Sequence, residues 1–294
     1  MTRPRFAVRI IHAKSLILGP SNNYNVYRGC THGCIYCDSR SKCYQITGVF
    51  EDIIVKENAA VLAETELAKK RHKILACSGS MCDPYMPIEK ELRLSRKVLE
   101  VIQKYGHGAG FLTKNVLALR DLDILMEINK KAKAVACFTL TTMDDDLAKI
   151  IEPQASLPSE RLKALAEFAR HGITTGVWMT PLLPFITATA ENIRSIVSAC
   201  SQAQVKYIVS FGIGTTMREG SREYFYRQLD QSFPGLKKRY MQTFHSDYIC
   251  LAPGHEMLNQ IFEGECDKYG IKYKGQDIRD LCEIPVREEQ LCLF

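Results

Sequence analysis

Residues 24–38 read YNVYRGCTHGCIYCD, a short β-prone apolar stretch that runs straight into Cys30, Cys34 and Cys37. The three cysteines form a C-x3-C-x2-C run, with Gly29 and Gly33 placed where the backbone must fold tightly. Thiolates this close together wrap a small iron–sulfur cluster and bind three of its irons, which leaves the fourth iron without a protein ligand. The alternative is zinc: Cys43, six residues beyond Cys37, would complete a four-thiolate tetrahedral site.

Outward from this run the chain alternates between two kinds of segment. Short, apolar, often β-branched stretches at 25–28, 74–78, 110–113, 134–140, 174–179 and 207–211 read as strands. Helical patterns fill 58–69, 92–104, 121–131, 159–169 and 190–203. The fourth helix is expected to start at Ser159, with Pro158 just outside, and to stop at His171-Gly172. Six βα units in sequence imply a parallel sheet. Each strand is followed at once by unusual residues: the cysteine run, GSMCDPY, Lys114-Asn115, Thr141-Thr142, TPLLPF and GIGTTMR. In a parallel β/α barrel these positions share one mouth, where catalytic groups gather. The expected fold is therefore a partial (β/α)6 TIM-like barrel over residues 1–218, with a helical C-terminal extension over 219–294.

Composition narrows the class without naming a partner. With 294 residues, 46% of them hydrophobic, the chain can bury a large core, and its net charge of +6 is mild. The first twenty residues are broken by Arg9, His12 and Lys14 and do not read as a signal peptide, and no apolar run is long enough to span a membrane. Twelve cysteines without an export signal suggest reduced thiols or metal ligands, hence a cytoplasmic protein. Beyond Arg218 the chain is helical, aromatic and basic. Tyr224, Phe225, Tyr240 and Phe244 either close the open side of the barrel, with Lys237, Lys238 and Arg239 on a solvated face, or stack on a nucleic acid. Cys250, Cys266, Cys282 and Cys292 lack the tight pairs that nucleate an auxiliary cluster, so scattered thiols are the default reading.

Taken in order, YRGCTHGCIYCDSR, CSGSMCDPYMPIE, FLTKN, the IEP element at 151–153 with LPSERLKAL, and MTPLLPF resemble the radical S-adenosylmethionine (SAM) superfamily. Within it they are similar to the branch of spore photoproduct lyase and its relatives. The resemblance runs from about Tyr24 to Arg218. It implies a [4Fe-4S] cluster on Cys30, Cys34 and Cys37, with SAM on the open iron, cleaved reductively to a 5′-deoxyadenosyl radical. It also implies an external electron donor such as flavodoxin or ferredoxin and an enzyme that works as a monomer away from membranes. The substrate stays open between a nucleoside, a nucleic acid and a small molecule.

The same resemblance assigns residues to SAM. Tyr36 corresponds to an aromatic position used against the adenine. Residues 80–83 correspond to the loop that meets the SAM amino group, with Asp83 as acceptor and Ser80 nearby. Lys114 is placed to pair with the SAM carboxylate, Thr139 to reach the same site, and Arg218 to hold an anionic substrate or that carboxylate. Where spore photoproduct lyase has a tyrosine directly after the third cysteine and a cysteine three residues before the loop aspartate, this chain has Asp38 and Ser80. Both of those positions are associated with returning a hydrogen atom to the product. Cys82 is therefore the candidate catalytic thiol, with Cys77 as a second. Spore photoproduct repair is one alternative activity, and a non-catalytic zinc or iron–sulfur protein is another.

Overall fold

The computed structural model describes residues 6–284, apart from residues 20 and 47. Cys292 lies outside the described residues. Six parallel strands follow one another in chain order as sheet neighbours: Asn23–Tyr24, Leu75–Ser78, Gly108–Thr113, Ala134–Thr139, Thr174–Trp178 and Tyr207–Val209. Ile17–Leu18 adds an antiparallel edge beside the first. The helices Ala59–Leu67, Leu94–Lys104, Leu122–Lys131, Pro158–Arg170 and Ala190–Gln202 occupy the crossovers. The sixth strand does not pair with the first, so this is a six-stranded parallel α/β sheet of partial-barrel type.

Two local expectations are corrected. The first barrel strand is not 25–28 but Asn23–Tyr24, and Tyr27–Arg28 turns away to pair antiparallel with Ile53–Lys56 in a separate sheet that also holds Val8–Ile11. Val26 and Tyr27 are adjacent and both buried in the main core, as in the central strands of the sheet, so burial alone does not mark the turn. The fourth helix begins at Pro158, one residue earlier than expected. Proline at a first helical position gives up an N–H that would have no partner anyway, and the Glu160 carboxylate accepts the Leu157 N–H at 2.8 Å.

The outer faces of the strands bury Ala76, Ala109, Phe111, Ala136 and Phe138 against the helices, with Tyr85, Phe111, Phe138 and Phe168 in mutual ring contact. The inner faces are filled by Val135, Cys137 and Tyr207, packed with Leu75, Leu112, Trp178 and Val209. Gly176 leaves room for the Tyr207 ring, since a Cβ there would lie 2.3 Å from it. Ile278, Leu281 and Cys282 of the helix Gly275–Cys282 close this inner core from below.

Past Arg218, the helices Ser221–Ser232 and Leu236–Phe244 bury Phe225, Leu229, Tyr240 and Phe244 in one cluster with Cys34, Ile35 and Tyr36. The extension therefore backs the cysteine loop. Tyr224 lies under the Arg40 guanidinium at 3.7 Å from its ring. Among the described residues, no helix is long and apolar enough to cross a membrane.

Candidate functional site

A cavity of about 520 Å³ opens at the carboxyl ends of the strands. Every one of the six strand ends contributes to its lining, from Cys30, Cys34 and Cys37 after the first to Phe211 and Gly212 after the sixth. The cysteine loop is held closely on both sides. Gly29 and Gly33 sit at φ +84° and +71°; a Cβ on Gly29 would lie 2.7 Å from the carbonyls of Phe50 and Asp52, and one on Gly33 would lie 3.1 Å from Pro153. Backbone bonds run from Cys30 N to Phe50 O (3.3 Å), from Ile35 N to Ile151 O (3.0 Å) and from Gln154 N to His32 O (3.0 Å).

The three cysteines share one wall of the cavity, which fits a cluster that asks for one thiolate per iron. Among the described residues, no three His, Cys, Asp or Glu side chains gather so as to hold a single ion. Cys43 does not line the cavity; it is exposed and takes the Arg218 Nη1 at 3.2 Å. Burial pushes the Cys34 and Cys37 thiols up. Burial would raise Cys30 too, but the neighbouring His32 outweighs it and brings Cys30 down.

Asp83 is buried and fully engaged. Its Oδ1 accepts from Thr113 Oγ1 (2.6 Å) and from Tyr85 N (2.8 Å); its Oδ2 accepts from Lys114 N (2.7 Å) and stands 3.3 Å from His32 Nδ1. An ionised carboxylate offers about four lone-pair positions, so none is left for an incoming ammonium. Burial opposes its charge, but His32, Thr113 and the Lys114 amide hold its pKa down at about 2. His32 itself rises to about 10 against the pull of burial, because Asp83 and Cys30 both favour its cation.

Tyr36 also has an occupant for its polar end. Its hydroxyl donates to Glu152, which in turn pairs with Arg161. Arg161 is 1% exposed and also donates to Thr139 O (2.9 Å) and Ser156 O (2.7 Å). The network joins the cysteine loop, the fourth strand and the fourth helix. Lys114 stands beside it, with Nζ 5.7 Å from the Tyr36 ring centre. Burial disfavours its charge, and Cys34 and Glu152 more than restore it.

The remaining sequence-derived residues divide. Ser80, Cys82 and Thr139 line the cavity. The Cys82 sulfur is tied to Tyr27 O at 2.8 Å, while Cys77 belongs to the inner barrel, against Gly110. Arg218 does not line the cavity: it donates to the Tyr248 hydroxyl (2.6 Å) and stands 3.8 Å from Asp38. Cys250, Cys266 and Cys282 fall in three different buried clusters. Sequence reasoning missed His32, Glu152, Arg161, Trp178 and Phe211. His32 lies inside the cysteine run, and Glu152 and Arg161 lie in the quoted IEP and LPSERLKAL elements, so their position was a signal even though their partners were not.

Comparison with known proteins identifies the family and a shared fold. Residues 24–198 match the radical SAM superfamily. The chain is 26% identical over 243 residues to an uncharacterised protein of Mycobacterium tuberculosis, covering 80% of this chain and 71% of that one. It is 30% identical over 257 residues to an uncharacterised protein of Acidianus two-tailed virus, covering 84% and 79%. Among solved structures, spore photoproduct lyase complexed with dinucleoside spore photoproduct superposes with a TM-score of 0.64 at 15% identity, over 89% of this chain and 79% of that one, a likeness of fold. The chain belongs to the radical SAM superfamily of enzymes.

Proposed function

We propose that this enzyme holds a [4Fe-4S] cluster on Cys30, Cys34 and Cys37 and cleaves SAM reductively to act on a substrate bound in the same cavity. The observation that carries the reading is the meeting of those three cysteines with Ser80, Lys114 and Thr139 around one cavity, while Cys43 faces away. When bound, the cluster and SAM together supply a 5′-deoxyadenosyl radical.

The chain's own residues prepare the cavity for that chemistry. Gly29 and Gly33 let the cysteine loop turn tightly enough to present three sulfurs on one wall. The Lys114 ammonium is the group offered to the SAM carboxylate, and the Ser80 hydroxyl is offered to its polar end. Trp178, Phe211 and Leu251 give the cavity an apolar wall. Cys82, within residues 80–83 and lining the cavity, is the first thiol to examine as a hydrogen donor. We read residues 1–218 as the catalytic barrel and 219–294 as the extension that supports the cysteine loop. A cytoplasmic monomer served by flavodoxin or ferredoxin fits this reading.

Metal analysis of anaerobically purified protein tests it. Iron and acid-labile sulfide should be present in equal amounts, be lost in Cys30→Ala, Cys34→Ala and Cys37→Ala, and persist in Cys43→Ala. Zinc in place of iron, or equal loss in the Cys43 variant, contradicts it.

A further inference from the structure

The turn Asp38–Arg40 follows Cys37 directly, and Arg40 N donates to Cys37 O at 3.3 Å. The Arg40 side chain is only 6% exposed. Its guanidinium lies over two rings, 4.5 Å from the centre of Phe50 and 3.7 Å from that of Tyr224, and it pairs with Glu51. Phe50 O also accepts Cys30 N, so the segment that fastens the first cysteine holds the arginine that follows the third. The C-terminal extension completes the enclosure. Lys42 N donates to Glu219 O at 3.0 Å, Ser41 Oγ donates to Ser221 Oγ at 3.2 Å, and a Cβ on Gly220, at φ +94°, would lie 2.9 Å from Arg40 O.

Stability alone is a poor reason for this arrangement, because a buried ion pair is often no more stabilising than apolar packing of the same volume. The hydrogen bonding of Arg40 is also incomplete, since its Nε is buried without a partner among the described residues. Nor is Arg40 a ligand group for SAM or substrate: the cavity is lined by Cys37, Asp38 and Ser39 but not by Arg40. Its charge nevertheless reaches the cysteine loop. Burial and the neighbouring Cys30 raise the Cys37 thiol, and Lys114 and Arg40 pull the other way.

A cluster held by three thiolates gains one further negative charge when it is reduced, and its potential depends on nearby charge, hydrogen bonds and exposure to water. A cation fixed where water is scarce favours the more negative state. We propose that Arg40 is a positioning residue whose enclosed cation favours the reduced form of the cluster on Cys30, Cys34 and Cys37, and so sets how readily the cluster accepts the electron that SAM cleavage requires. The inference rests on the radical SAM reading of the cavity.

A redox titration of the reconstituted, SAM-free enzyme, followed by the EPR signal of the reduced cluster, tests the assignment in Arg40→Gln, Arg40→Lys and Glu51→Gln. At the wild-type midpoint, Arg40→Gln should lower the ratio of reduced to oxidised cluster at least fivefold, on a scale where tenfold is about 59 mV for a one-electron couple. Arg40→Lys, which keeps the charge, should stay within that margin. Glu51→Gln removes an anion instead of a cation and should raise the ratio at least twofold. A merely structural role would move both glutamine variants the same way. A change of less than fivefold in Arg40→Gln, an equal fall in Arg40→Lys, or no rise in Glu51→Gln would overturn the proposal. If Arg40→Gln does not keep its iron, Glu51→Gln decides by the same criterion. Failure of the wild-type protein to hold iron and sulfide would instead sink the reading on which the proposal rests.

Discussion

Tyr36 donates its hydroxyl to Glu152 across 116 residues of chain, so the residue before the third cysteine is fastened to the loop that precedes the fourth helix. The same loop receives Ile35 N and presents Gln154 N to His32 O. Tyr36 thus has a structural tie in addition to the adenine contact its resemblance implies.

The first prediction follows from the burial of this network. Arg161→Met leaves the buried Glu152 carboxylate without its hydrogen-bonded partner, and breaking a buried pair in this way costs about 3–5 kcal/mol. Tyr36→Phe removes one donor and should cost about 1–3 kcal/mol. Urea denaturation of the metal-free variants measures both. A smaller loss in Arg161→Met than in Tyr36→Phe would contradict the order.

A second prediction separates Asp83 from Lys114. Asp83 receives donors from Thr113, Tyr85 and Lys114 and faces His32, so Asp83→Ala should disturb the cysteine loop and lower iron content together with SAM affinity. Lys114→Ala should keep its iron and weaken SAM binding about tenfold or more, as expected for a lost charge-assisted bond. Normal iron in Asp83→Ala with weak SAM binding would mean that Asp83 touches SAM after all.

Much of this was legible in the sequence because parallel βα units write themselves as alternating apolar periods, and because three cysteines in eight residues after a strand have few other uses. The turn at Asn25 was not legible: Tyr24 pairs with Ser78 in the barrel sheet and Tyr27 with Val55 in the small sheet, and a local apolar pattern does not say which strand a residue pairs with. The saturation of Asp83 was hidden for a similar reason. Its donors come from residues 32, 85, 113 and 114, and only the tertiary fold brings them together. Arg218, read as a ligand group, donates to the Tyr248 hydroxyl and stands 3.8 Å from Asp38, partners that the sequence does not give.

The third prediction concerns acid stability. His107 is buried, with Nδ1 accepting from Ile74 N at 3.2 Å and Nε2 near Leu67 O at 3.3 Å, and burial depresses its pKa below the ordinary 6.5. The unfolded chain therefore binds a proton at a pH where the native state does not. Stability from the neutral ring is in place above about pH 6.5 and falls as pH drops through and below that value. Urea midpoints at pH 7.5 and 5.5 should differ less in His107→Gln than in the wild type. An unchanged pH slope would rule out His107 as a contributor.

A fourth prediction addresses DNA repair. At the two positions associated with hydrogen return in spore photoproduct lyase stand Asp38, which accepts from the Tyr44 hydroxyl, and Ser80, which cannot act as a thiol donor. The enzyme should leave a spore-photoproduct dinucleotide unchanged under reducing anaerobic conditions. Its conversion to two thymines, followed chromatographically, would contradict this and point to Cys82 as the donor.

The central claim is that three cysteines hold a cluster whose fourth iron is open to SAM. Its most direct test is to incubate the reconstituted, dithionite-reduced enzyme with SAM and measure 5′-deoxyadenosine and methionine. The account predicts that both appear slowly and in equal amounts even without substrate, and that neither forms in Cys34→Ala. An iron-loaded wild-type enzyme that binds SAM and yields no 5′-deoxyadenosine would contradict it.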